Sequence, residues 1–416
     1  MTGVTLISHG CRLNIAESEK IAAMLGAADD LVVVNSCAVT AEAVKTARQA
    51  IRRAHRERPD ARIIVTGCAA EIEPETFRTM TEVAAIVPNG RKLDPSLYPS
   101  PRQRPGPQEA GPGSPEALAS VGATHARAFL PIQNGCDHRC TFCIIPFGRG
   151  PSRSLPAGGA IDEIRAAVDG GAREVVLTGV DLTAYGADLP GQPSLGQLVA
   201  RILRHVPDLP RLRLSSLDPC ELDEGLIELI AQEARLMPHI HLSLQAGDDL
   251  TLKRMKRRHS RAQAVALVER LTALRPEIAI GADLIAGFPT EDEAMFANTL
   301  ALIEDCRIAL AHIFPYSPRA GTPAARMPQV ARSVVKERAA RLRAAAGRRK
   351  VAWLQEQIGT VQKVLVELDG RSGHAGNFAR VMLAPRRDGW PAAEPNTILP
   401  VRITAVDGES LQGIPA

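Results

Sequence analysis

The stretch FLPIQNGCDHRCTFCIIPFGRG, residues 129–150, contains three cysteines with the spacing C-x3-C-x2-C directly after a short apolar run. These are Cys136, Cys140 and Cys143. Three thiolates that converge from one loop suit an iron–sulfur cubane, because soft thiolate ligands favour iron–sulfur ligation. The loop offers no fourth cysteine, so one iron would stay open to a substrate or cofactor. The alternatives are three unrelated core cysteines or a zinc site, although zinc loops more often present C-x2-C pairs with further ligands downstream.

The region from about residue 128 onward alternates predicted strands with predicted helices. Segments such as AIDEIRAAVDGG and RAQAVALVERLTALR lie between the strands and have helical spacing of their apolar residues. Six strand–helix units are enough for a partial (β/α)6 TIM-like barrel and too few for a closed eightfold one. The predicted strands are FLPIQ, REVVLTG, RLRLSS, HIHLSLQ, IAIGADLIAG and LAHIFPY.

Residues 1–97 are predicted to form a small parallel α/β domain, because short apolar strands alternate with helical segments. The strands VTLIS, LVVVN and RIIVTG are each followed closely by a cysteine, namely Cys11, Cys37 or Cys68. The carboxyl ends of parallel strands meet at one edge of a sheet, where sites are usually built. The sequence therefore predicts a second metal site at this edge. A buried core cysteine is the alternative for each residue taken singly.

Composition sets the domain boundaries. Residues 99–115 contain six prolines and three glycines and cannot form a packed element. After the core, a long helix leads to VQKVLVEL, FARVML and TILPVRITAV, which predict a small β-barrel. The fold class is α/β. We assign an N-terminal domain to residues 1–97, a linker to 98–121, a barrel core to 122–352 and the β module to 353–416.

The overall composition is that of an ordinary globular protein. Of 416 residues, 23% are charged and 45% are hydrophobic, and the net charge is +4. No apolar run reaches the ~18 residues of a membrane span, and the N-terminus lacks the layout of a signal peptide. We expect a cytoplasmic protein with reduced thiols, so its cysteines should be metal ligands or core residues, not disulfides. Cys220 and Cys306, outside both sets, are predicted to be small buried hydrophobes.

Specific motifs surround the six grouped cysteines: HGCRLN, NSCAVT and TGCAA in the N-terminal region, and NGCDHRCTFCIIPFGRGPSRS in the core. With these motifs the sequence resembles the radical S-adenosylmethionine (SAM) methylthiotransferases over essentially its full length. That family has an N-terminal domain with three scattered cysteines, a radical core with C-x3-C-x2-C and a C-terminal TRAM domain. All three parts have counterparts here in the same order.

Three branches of the family differ in substrate. Two modify an adenosine beside the tRNA anticodon that carries an isopentenyl or a threonylcarbamoyl group, and the third modifies an aspartate of a ribosomal protein. The segments SSLDPCELDEGLIELI, HLSLQAGDDLTLKRMKRRH and FPYSPRAGTPAARMPQV look most like the threonylcarbamoyl branch. The resemblance thus implies methylthiolation at C2 of N6-threonylcarbamoyladenosine, with the other branches as alternatives. A non-catalytic iron–sulfur protein that binds RNA or senses redox state is the alternative from another class.

The resemblance implies two [4Fe–4S] clusters and SAM as cofactors. The open iron of the cluster at Cys136, Cys140 and Cys143 would bind the methionine part of SAM, and an electron from that cluster would cleave the sulfonium. The resulting 5′-deoxyadenosyl radical would abstract hydrogen from C2 of the adenine. The N-terminal cluster would hold or supply the sulfur, and a second SAM would supply the methyl group by polar transfer. The protein's part is to position these groups and exclude water.

The same resemblance implies cofactor-binding residues, each with a simpler interpretation beside it. Thr178 and Gly179 end a barrel strand that lies against the methionine part in the family, although a strand-ending turn would also place a glycine here. Arg257, in the basic run LKRMKRRHS, suits the cofactor carboxylate, whereas such a run is usually a solvated face. Phe142 is expected to cover the cluster or the adenine with its ring.

Polar residues within predicted strands are expected to face the barrel interior. Ser243 and Gln245 alternate with leucines in HLSLQ, so they would bind ribose hydroxyls or make internal hydrogen bonds. Asp283, in GADLIAG, is a further inward-facing candidate without a specific role.

A tRNA substrate implies that the anticodon stem–loop binds to this protein. Cations in TARQAIRRAHRER and in residues 331–350, which carry eight Lys/Arg and one Glu, would contact phosphates, although solvated helices look similar. The tail segment GRSGHAGNF departs from the commoner TRAM form, which has an acidic residue and an aromatic after GR. We also expect an electron donor such as a flavodoxin-type protein, no membrane partner and a monomeric chain.

Overall fold

The computed structural model of this chain describes residues 4–26, 30–98, 126–384 and 393–416. Apart from Tyr98, the predicted linker at 98–121 lies outside these residues. Within the described ranges, every helix is too short or too polar to cross a membrane. The described residues form two compact units: unit 1 comprises residues 4–26, 30–98, 134–153 and 317–322, and unit 2 comprises residues 126–133, 154–316, 323–384 and 393–416.

Unit 1 is built on a parallel sheet of four strands. Its elements are β1 (Thr5–Ser8), α1 (Arg12–Leu25), β2 (Leu31–Ser36), α2 (Ala41–Glu57), β3 (Arg62–Gly67), α3 (Cys68–Ile72), α4 (Pro74–Arg78), β4 (Val83–Ile86) and α5 (Ile145–Arg149). The strand order is β1–β2–β3–β4. Every residue of β2, LVVVNS, is buried, as expected for a central strand of a sheet covered on both faces. The predicted parallel α/β arrangement is therefore confirmed.

One strand of this sheet was not predicted from the sequence. Strand β4 has the sequence VAAI and pairs in parallel with β3. Alanine is depleted in strands, and a run of four residues carries little periodicity, so the signal was too weak to find. Helix α2, in contrast, has a clear start, because the Thr40 side chain accepts a hydrogen bond from the Ala43 amide.

Unit 2 contains a parallel β/α core. Its elements are β5 (Ala128–Pro131), α6 (Ala157–Asp169), β8 (Glu174–Thr178), α7 (Leu195–His205), β9 (Arg211–Leu214), β10 (Ser216–Leu217), α8 (Glu224–Gln232), β11 (His239–Gln245), α9 (Asp249–Met255), α10 (Arg261–Leu274), β12 (Ala279–Ala286), α11 (Glu293–Asp305) and β13 (Ile308–Pro315). Two short strands, β6 (Gln133–Asn134) and β7 (Arg153–Ser154), lie at the ends of the cysteine loop. The hydrogen-bonded orders are β5–β8–β9 and β10–β11–β12–β13. Since only Ser215 separates β9 from β10, six strand positions follow one another, which confirms the predicted partial barrel.

The two faces of the core sheet differ in polarity. In β11, Ile240, Leu242 and Leu244 pack into the hydrophobic core together with residues of α7 and α10. Alternate residues of a strand point to opposite faces, so His239, His241 and Ser243 lie on the other face. We call this second surface, which also carries Arg213 and Asp283, the polar face of the core.

The C-terminal part of unit 2 is a closed barrel that follows helix α12 (Arg332–Gln355). The strand order is β14–β15–β16–β18–β17, with β14 (Val361–Val366), β15 (Ser372–Ala375), β16 (Arg380–Leu383), β17 (Ile398–Asp407) and β18 (Ser410–Pro415). The barrel core includes Trp353 and Leu354 of α12. Strands β15 and β18 were not predicted, because each contains a glycine where the sequence suggests a turn. A Cβ atom at Gly373 would collide with the backbone of Leu365, so close strand approach accounts for that glycine.

A fully buried carboxylate, Glu174 of β8, joins the core to the C-terminal barrel. Its oxygens lie 2.8 Å from Nε of Arg213, 3.1 Å from Nε of Arg127 and 3.5 Å from Nη1 of Arg211. Arg127 also pairs with Glu367 of the barrel module at 2.7 Å. Burial alone would raise the pKa of Glu174, but Arg213, followed by Arg127 and Arg211, lowers it to about 2. The three guanidiniums thus share Glu174 as an ionised carboxylate, and Arg127 has Glu367 as a second partner.

We expect Glu174→Gln to destabilise unit 2 by about 3–5 kcal/mol, because it leaves three buried cations without their main counter-charge. The folded-state pKa lies below the ordinary value of 4.5, so the contribution of this ionisation is complete above pH 4.5 and is lost as the pH falls towards about 2. Urea unfolding of both proteins between pH 7 and pH 3 measures this difference. Glu228→Gln, at an exposed site of α8, is the matched control. Equal stability of the Glu174 and Glu228 variants would contradict this account.

Candidate metal centres and cofactor site

The structure brings Cys11, Cys37 and Cys68 to the carboxyl edge of the unit 1 sheet. Cys11 is the N-cap residue of α1, Cys37 follows β2 directly, and Cys68 is the first residue of α3 after β3. Cys37 and Cys68 are buried, whereas Cys11 is exposed. Gly10 allows this approach, because a Cβ atom there would lie 2.8 Å from Sγ of Cys37. Three thiols thus meet at the edge where the sequence predicted them.

The three thiols interact electrostatically. Burial is the main cause that raises the pKa of Cys37 to about 11, and the thiolates of Cys11 and Cys68 add to the rise. Burial likewise raises the pKa of Cys68. A metal that replaces the protons would remove this penalty, since thiolates are the form that binds metal. The donor set of three clustered thiols fits an iron–sulfur cluster.

Two asparagines that sequence reasoning missed lie against these cysteines. Asn14 donates from Nδ2 to the carbonyl of His9 at 2.6 Å, and its Oδ1 lies 4.0 Å from Sγ of Cys11. Asn89 donates from Nδ2 to the carbonyl of Gly148 at 2.5 Å and lies 3.9 Å from Sγ of Cys68. Asparagine in HGCRLN and VPNGR carries no signal by itself that would connect it to a distant thiol.

The loop of Cys136, Cys140 and Cys143 also belongs to unit 1. All three thiols are partly buried. The loop folds back on itself, since the amide of Cys136 donates to the carbonyl of Gly150 at 3.1 Å and the amide of Cys143 to the carbonyl of Cys140 at 3.1 Å. Phe142 is partly buried between two of these cysteines in the sequence. Three thiols on one compact loop fit a cubane with one iron that lacks a protein thiolate.

Thr178 and Gly179 lie at the carboxyl end of β8 in the core. Thr178 is buried, and its carbonyl accepts a hydrogen bond from the amide of Ile132 at 3.0 Å. A Cβ atom at Gly179 would lie 2.9 Å from Oε1 of Gln133, which itself accepts from the amides of Val180 and Asp181. Close packing against Gln133 therefore requires a glycine here. A contact between Gly179 and the cofactor stays a prediction.

The other predicted cofactor residues gather at the carboxyl end of β11. Arg257 donates from Nη2 to Oδ2 of Asp218 and to the carbonyl of Ser243, both at 2.8 Å. This guanidinium is nearly buried, with 8% of the side chain exposed, so it does not belong to the solvated face that its basic run suggests. Gln245 has a φ of 68°, a conformation that is uncommon for residues other than glycine and that often marks functional sites. The ligand roles of Arg257, Ser243 and Gln245 stay predictions.

The prediction for Cys220 was wrong, and that for Cys306 is confirmed. Cys306 is buried in the core, but Cys220 is exposed. Cys220 lies in the turn after β10, where its amide donates to Oδ1 of Asp218 at 3.0 Å. It lies outside the strands and helices, between the acidic residues Asp218 and Glu221, so the general tendency of a free cysteine to be buried does not apply here.

The polar face of the core carries a triad that the sequence did not reveal as a unit. His241 Nε2 lies 2.9 Å and His312 Nδ1 lies 3.1 Å from the same oxygen, Oδ1 of Asp283. Burial alone would raise the pKa of Asp283, but hydrogen bonds from both histidines hold it below its usual range. The register explains the meeting, since Asp283 pairs with His312 across β12 and β13. We call these three residues the histidine–aspartate triad.

The fold and the cysteine loop define the class of protein. The family model described as the radical SAM superfamily matches residues 130–303, and that described as uncharacterized protein family UPF0004 matches residues 3–88. A solved structure of the radical SAM methyltransferase TsrM from Kitasatospora setae aligns with a TM-score of 0.50 and 16% identity, over 78% of this chain and 77% of that one. At this identity the likeness concerns the fold. The chain has the fold of a radical SAM enzyme.

Curated relatives narrow the class to a family. A threonylcarbamoyladenosine tRNA methylthiotransferase MtaB from Rickettsia prowazekii is 47% identical over 91% of this chain and 90% of its own length. A tRNA-2-methylthio-N(6)-dimethylallyladenosine synthase from Erythrobacter litoralis is 36% identical over 89% of this chain and 87% of its own length. The chain belongs to the radical SAM tRNA methylthiotransferases. It is a transferase that uses SAM and two [4Fe–4S] clusters.

The two cysteine sets should separate in function. We expect Cys140→Ala to abolish release of 5′-deoxyadenosine from SAM, because the radical-generating cluster loses a ligand. Cys37→Ala should retain cofactor cleavage but block sulfur insertion. Each variant should contain ~4 iron atoms per chain instead of ~8 after anaerobic reconstitution. Product analysis by mass spectrometry and iron determination measure these effects.

Cys306→Ala is the matched control, since this buried thiol lies outside both sets. It should keep the full iron content and both activities. Full product formation by the Cys140 and Cys37 variants would show that the assignment of the two sets is wrong.

Proposed function

We propose that this enzyme adds a methylthio group to C2 of N6-threonylcarbamoyladenosine beside the anticodon of tRNA. The observation that carries the proposal is the polarity of the core's polar face, together with the 47% identity to a relative that bears this activity in its name. Relatives named for dimethylallyladenosine are 36% identical to this chain. Sequence identity alone therefore leaves dimethylallyladenosine as a second possible substrate.

The two substrates differ in one group, the substituent on N6 of the adenosine. A threonylcarbamoyl group carries a carboxylate, a hydroxyl and amide groups, whereas a dimethylallyl group is a hydrocarbon. A site that hydrogen-bonds a polar group rejects the apolar analogue strongly, because its own polar groups are then left without partners. An apolar pocket lacks this requirement.

The histidine–aspartate triad fits the polar substrate. Side-chain exposure rises from 8% at His241 through 21% at Asp283 to 61% at His312, so the triad leads from the buried sheet towards solvent. Each imidazole uses one ring nitrogen on Asp283 and has a second nitrogen for another partner. A dimethylallyl group on this surface would desolvate these groups without replacing their hydrogen bonds.

The proposal gives the residues at the end of β11 the task of holding SAM. Arg257 would bind the methionine carboxylate while Asp218 keeps its guanidinium in place. Ser243 and Gln245 would accept and donate hydrogen bonds to the ribose hydroxyls, and the turn at Thr178 and Gly179 would lie along the methionine part. The clusters and SAM supply the radical and the sulfur when bound.

Binding of the tRNA anticodon stem–loop is part of the proposal, and α12 supports it only in part. Four of its eight cations pair with carboxylates, including Arg338 with Glu291 at 3.0 Å. These four cations are paired with carboxylates within unit 2. The exposed cations of this helix are Arg332, Lys336, Arg343 and Arg348. They remain for phosphate contacts, which weaken as salt concentration rises.

The proposal further includes a TRAM-like role for the C-terminal barrel, a flavodoxin-type electron donor, a monomeric chain and a cytoplasmic location. The closed five-stranded barrel at residues 361–415 supports the first of these. The domain boundaries at residues 97, 121 and 352 are likewise part of the proposal.

The test is nucleoside analysis of tRNA from cells with and without the gene. We expect 2-methylthio-N6-threonylcarbamoyladenosine to disappear on deletion and to return with the wild-type gene but not with Cys140→Ala. Loss of the methylthio derivative of dimethylallyladenosine instead would assign the enzyme to the other tRNA branch. An unchanged tRNA profile would overturn the proposal and direct attention to a ribosomal-protein aspartate.

The triad should control substrate use and not cofactor cleavage. We expect Asp283→Asn to lower the methylthiolation rate of threonylcarbamoyl-containing tRNA by about tenfold or more, because both imidazoles lose their ionised acceptor. Release of 5′-deoxyadenosine without tRNA should stay near the wild-type rate. Single-turnover assays with purified tRNA measure both quantities, and His205→Gln, on the outer surface of α7, is the control. Wild-type methylthiolation by Asp283→Asn would remove the triad from substrate recognition.

A further inference from the structure

Two cations and one carboxylate are buried behind the N-terminal cysteines. Arg149 is at the end of α5, Lys92 follows VPNGR, and Glu17 is on α1. Their exposed fractions are 5%, 4% and 5%. Arg149 binds the carboxylate with both arms, Nη1 to Oε1 at 2.9 Å and Nη2 to Oε2 at 3.1 Å. Lys92 Nζ donates to the same carboxylate.

Each cation reaches one cysteine through one asparagine. Arg149 Nη2 donates to Oδ1 of Asn14 at 2.5 Å, and that oxygen lies 4.0 Å from Sγ of Cys11. Lys92 Nζ donates to Oδ1 of Asn89 at 2.7 Å, and Nδ2 of Asn89 lies 3.9 Å from Sγ of Cys68. The two relays approach the cysteine site from the same buried group of charges, so the cations act on the site together.

The charges of this group do not cancel. Arg149 and Lys92 contribute two positive charges and Glu17 one negative charge, which leaves one positive charge in a buried site. An unpaired buried charge is costly unless an opposite charge lies nearby. Protonated thiols cannot supply that charge. A [4Fe–4S]2+ core bound by three thiolates carries one negative charge, which would balance the site.

Electrostatic coupling between the cysteines and the two cations supports a negatively charged group at the cysteine site. Burial alone would lower the pKa of Arg149, but Cys68 and Glu17 raise it, and Cys11 adds to the rise. Burial lowers the pKa of Lys92, and Glu17 and Cys68 oppose that shift. Negative charge at the cysteines therefore stabilises both cations in their charged form.

We propose that Arg149 and Lys92, held by Glu17, are positioning residues that balance the charge of the cluster at the three N-terminal cysteines and raise its reduction potential. Net charge and hydrogen bonding near the sulfurs are among the factors that set the potential of an iron–sulfur cluster. Arg149 lies only six residues after Cys143. The loop of the radical-generating cysteines thus supplies part of the environment of the other cluster.

Packing at Gly148 also connects the loop of the radical-generating cysteines with the N-terminal cysteine site. A Cβ atom at Gly148 would lie 2.9 Å from Cδ1 of Ile72 and 3.3 Å from Cβ of Cys68. The loop backbone therefore approaches the cysteine site closely where Arg149 leaves it. The proposal rests on the two clusters of the family and does not depend on which nucleoside is the substrate.

The experiment is a redox titration of the full chain, followed by electron paramagnetic resonance. The background variant carries Cys136→Ala, Cys140→Ala and Cys143→Ala, so that only the N-terminal cluster gives a signal. We expect Arg149→Met and Lys92→Met to shift its midpoint potential to more negative values and Glu17→Gln to shift it to more positive values. Arg149→Lys should restore most of the Arg149→Met shift. Arg91→Met, which removes an exposed cation beside Lys92, should leave the potential unchanged.

The opposite signs separate a role in charge balance from a role in folding alone. If the residues only held the fold, all three buried variants would lose iron and none would shift the potential in the Glu17→Gln direction. Potentials equal to that of Arg91→Met, at full iron content, would overturn the proposal. Because no tRNA is used, failure of this test leaves the substrate assignment untouched, and failure of the nucleoside assay leaves the potentials interpretable.

Discussion

The common edge of a parallel sheet is the constraint on which the reactive groups depend. Strands that run in the same direction all end on one side, so residues that follow them meet there however far apart they are in sequence. Cys11, Cys37 and Cys68 meet for this reason. In the core, Thr178 and Gln245 occupy equivalent places as the last residues of β8 and β11. The same rule thus builds a metal centre in one unit and a candidate cofactor surface in the other.

Buried carboxylates stabilise both units, but their surroundings differ in a way that bears on function. Around Glu174, three arginines face two carboxylates, and the ring of Phe378 lies 4.7 Å from the guanidinium carbon of Arg213. Backbone carbonyls and the ring face accept the excess positive charge, as expected for a structural cluster. Around Glu17, the excess positive charge faces cysteines. An unbalanced positive charge beside thiols indicates a site that binds a negatively charged group.

The sequence predicts those features whose signal is local. The spacing of Cys136, Cys140 and Cys143 lies within one loop, and the apolar runs that become β2 and β3 have a clear pattern, so both could be predicted. The strand-end position of the N-terminal cysteines extended that reasoning to residues separated by 26 and 31 positions. The resemblance to a family then supplied the cofactors and substrate classes.

Features that depend on long-range contacts could not be predicted in this way. Arg149 and Glu17 are 132 residues apart, and Lys92 and Glu17 are 75 apart. Each looks like an ordinary surface charge in a helix or turn, because nothing local marks it as buried. Asp283 was recognised as inward-facing, but the histidines that share its oxygen come from neighbouring strands whose register only the structure gives. The prediction for Cys220 was wrong because the general tendency of free cysteine to be buried does not hold for a turn residue between Asp218 and Glu221.

On the proposed function, the chemistry and the choice of substrate depend on different strands of the chain: the cysteines belong to unit 1, and the triad lies on β11, β12 and β13 of unit 2. The cysteines lie beyond strand ends, in a loop or at the start of a helix. The histidine–aspartate triad lies within strands, on side chains that alternate with core leucines. A change from His312 to an apolar residue would alter the polarity of that face without moving a cysteine. If the triad selects the substrate as proposed, branches that share the cysteine motifs would differ at such strand residues, and a motif match would identify the family without identifying the nucleoside.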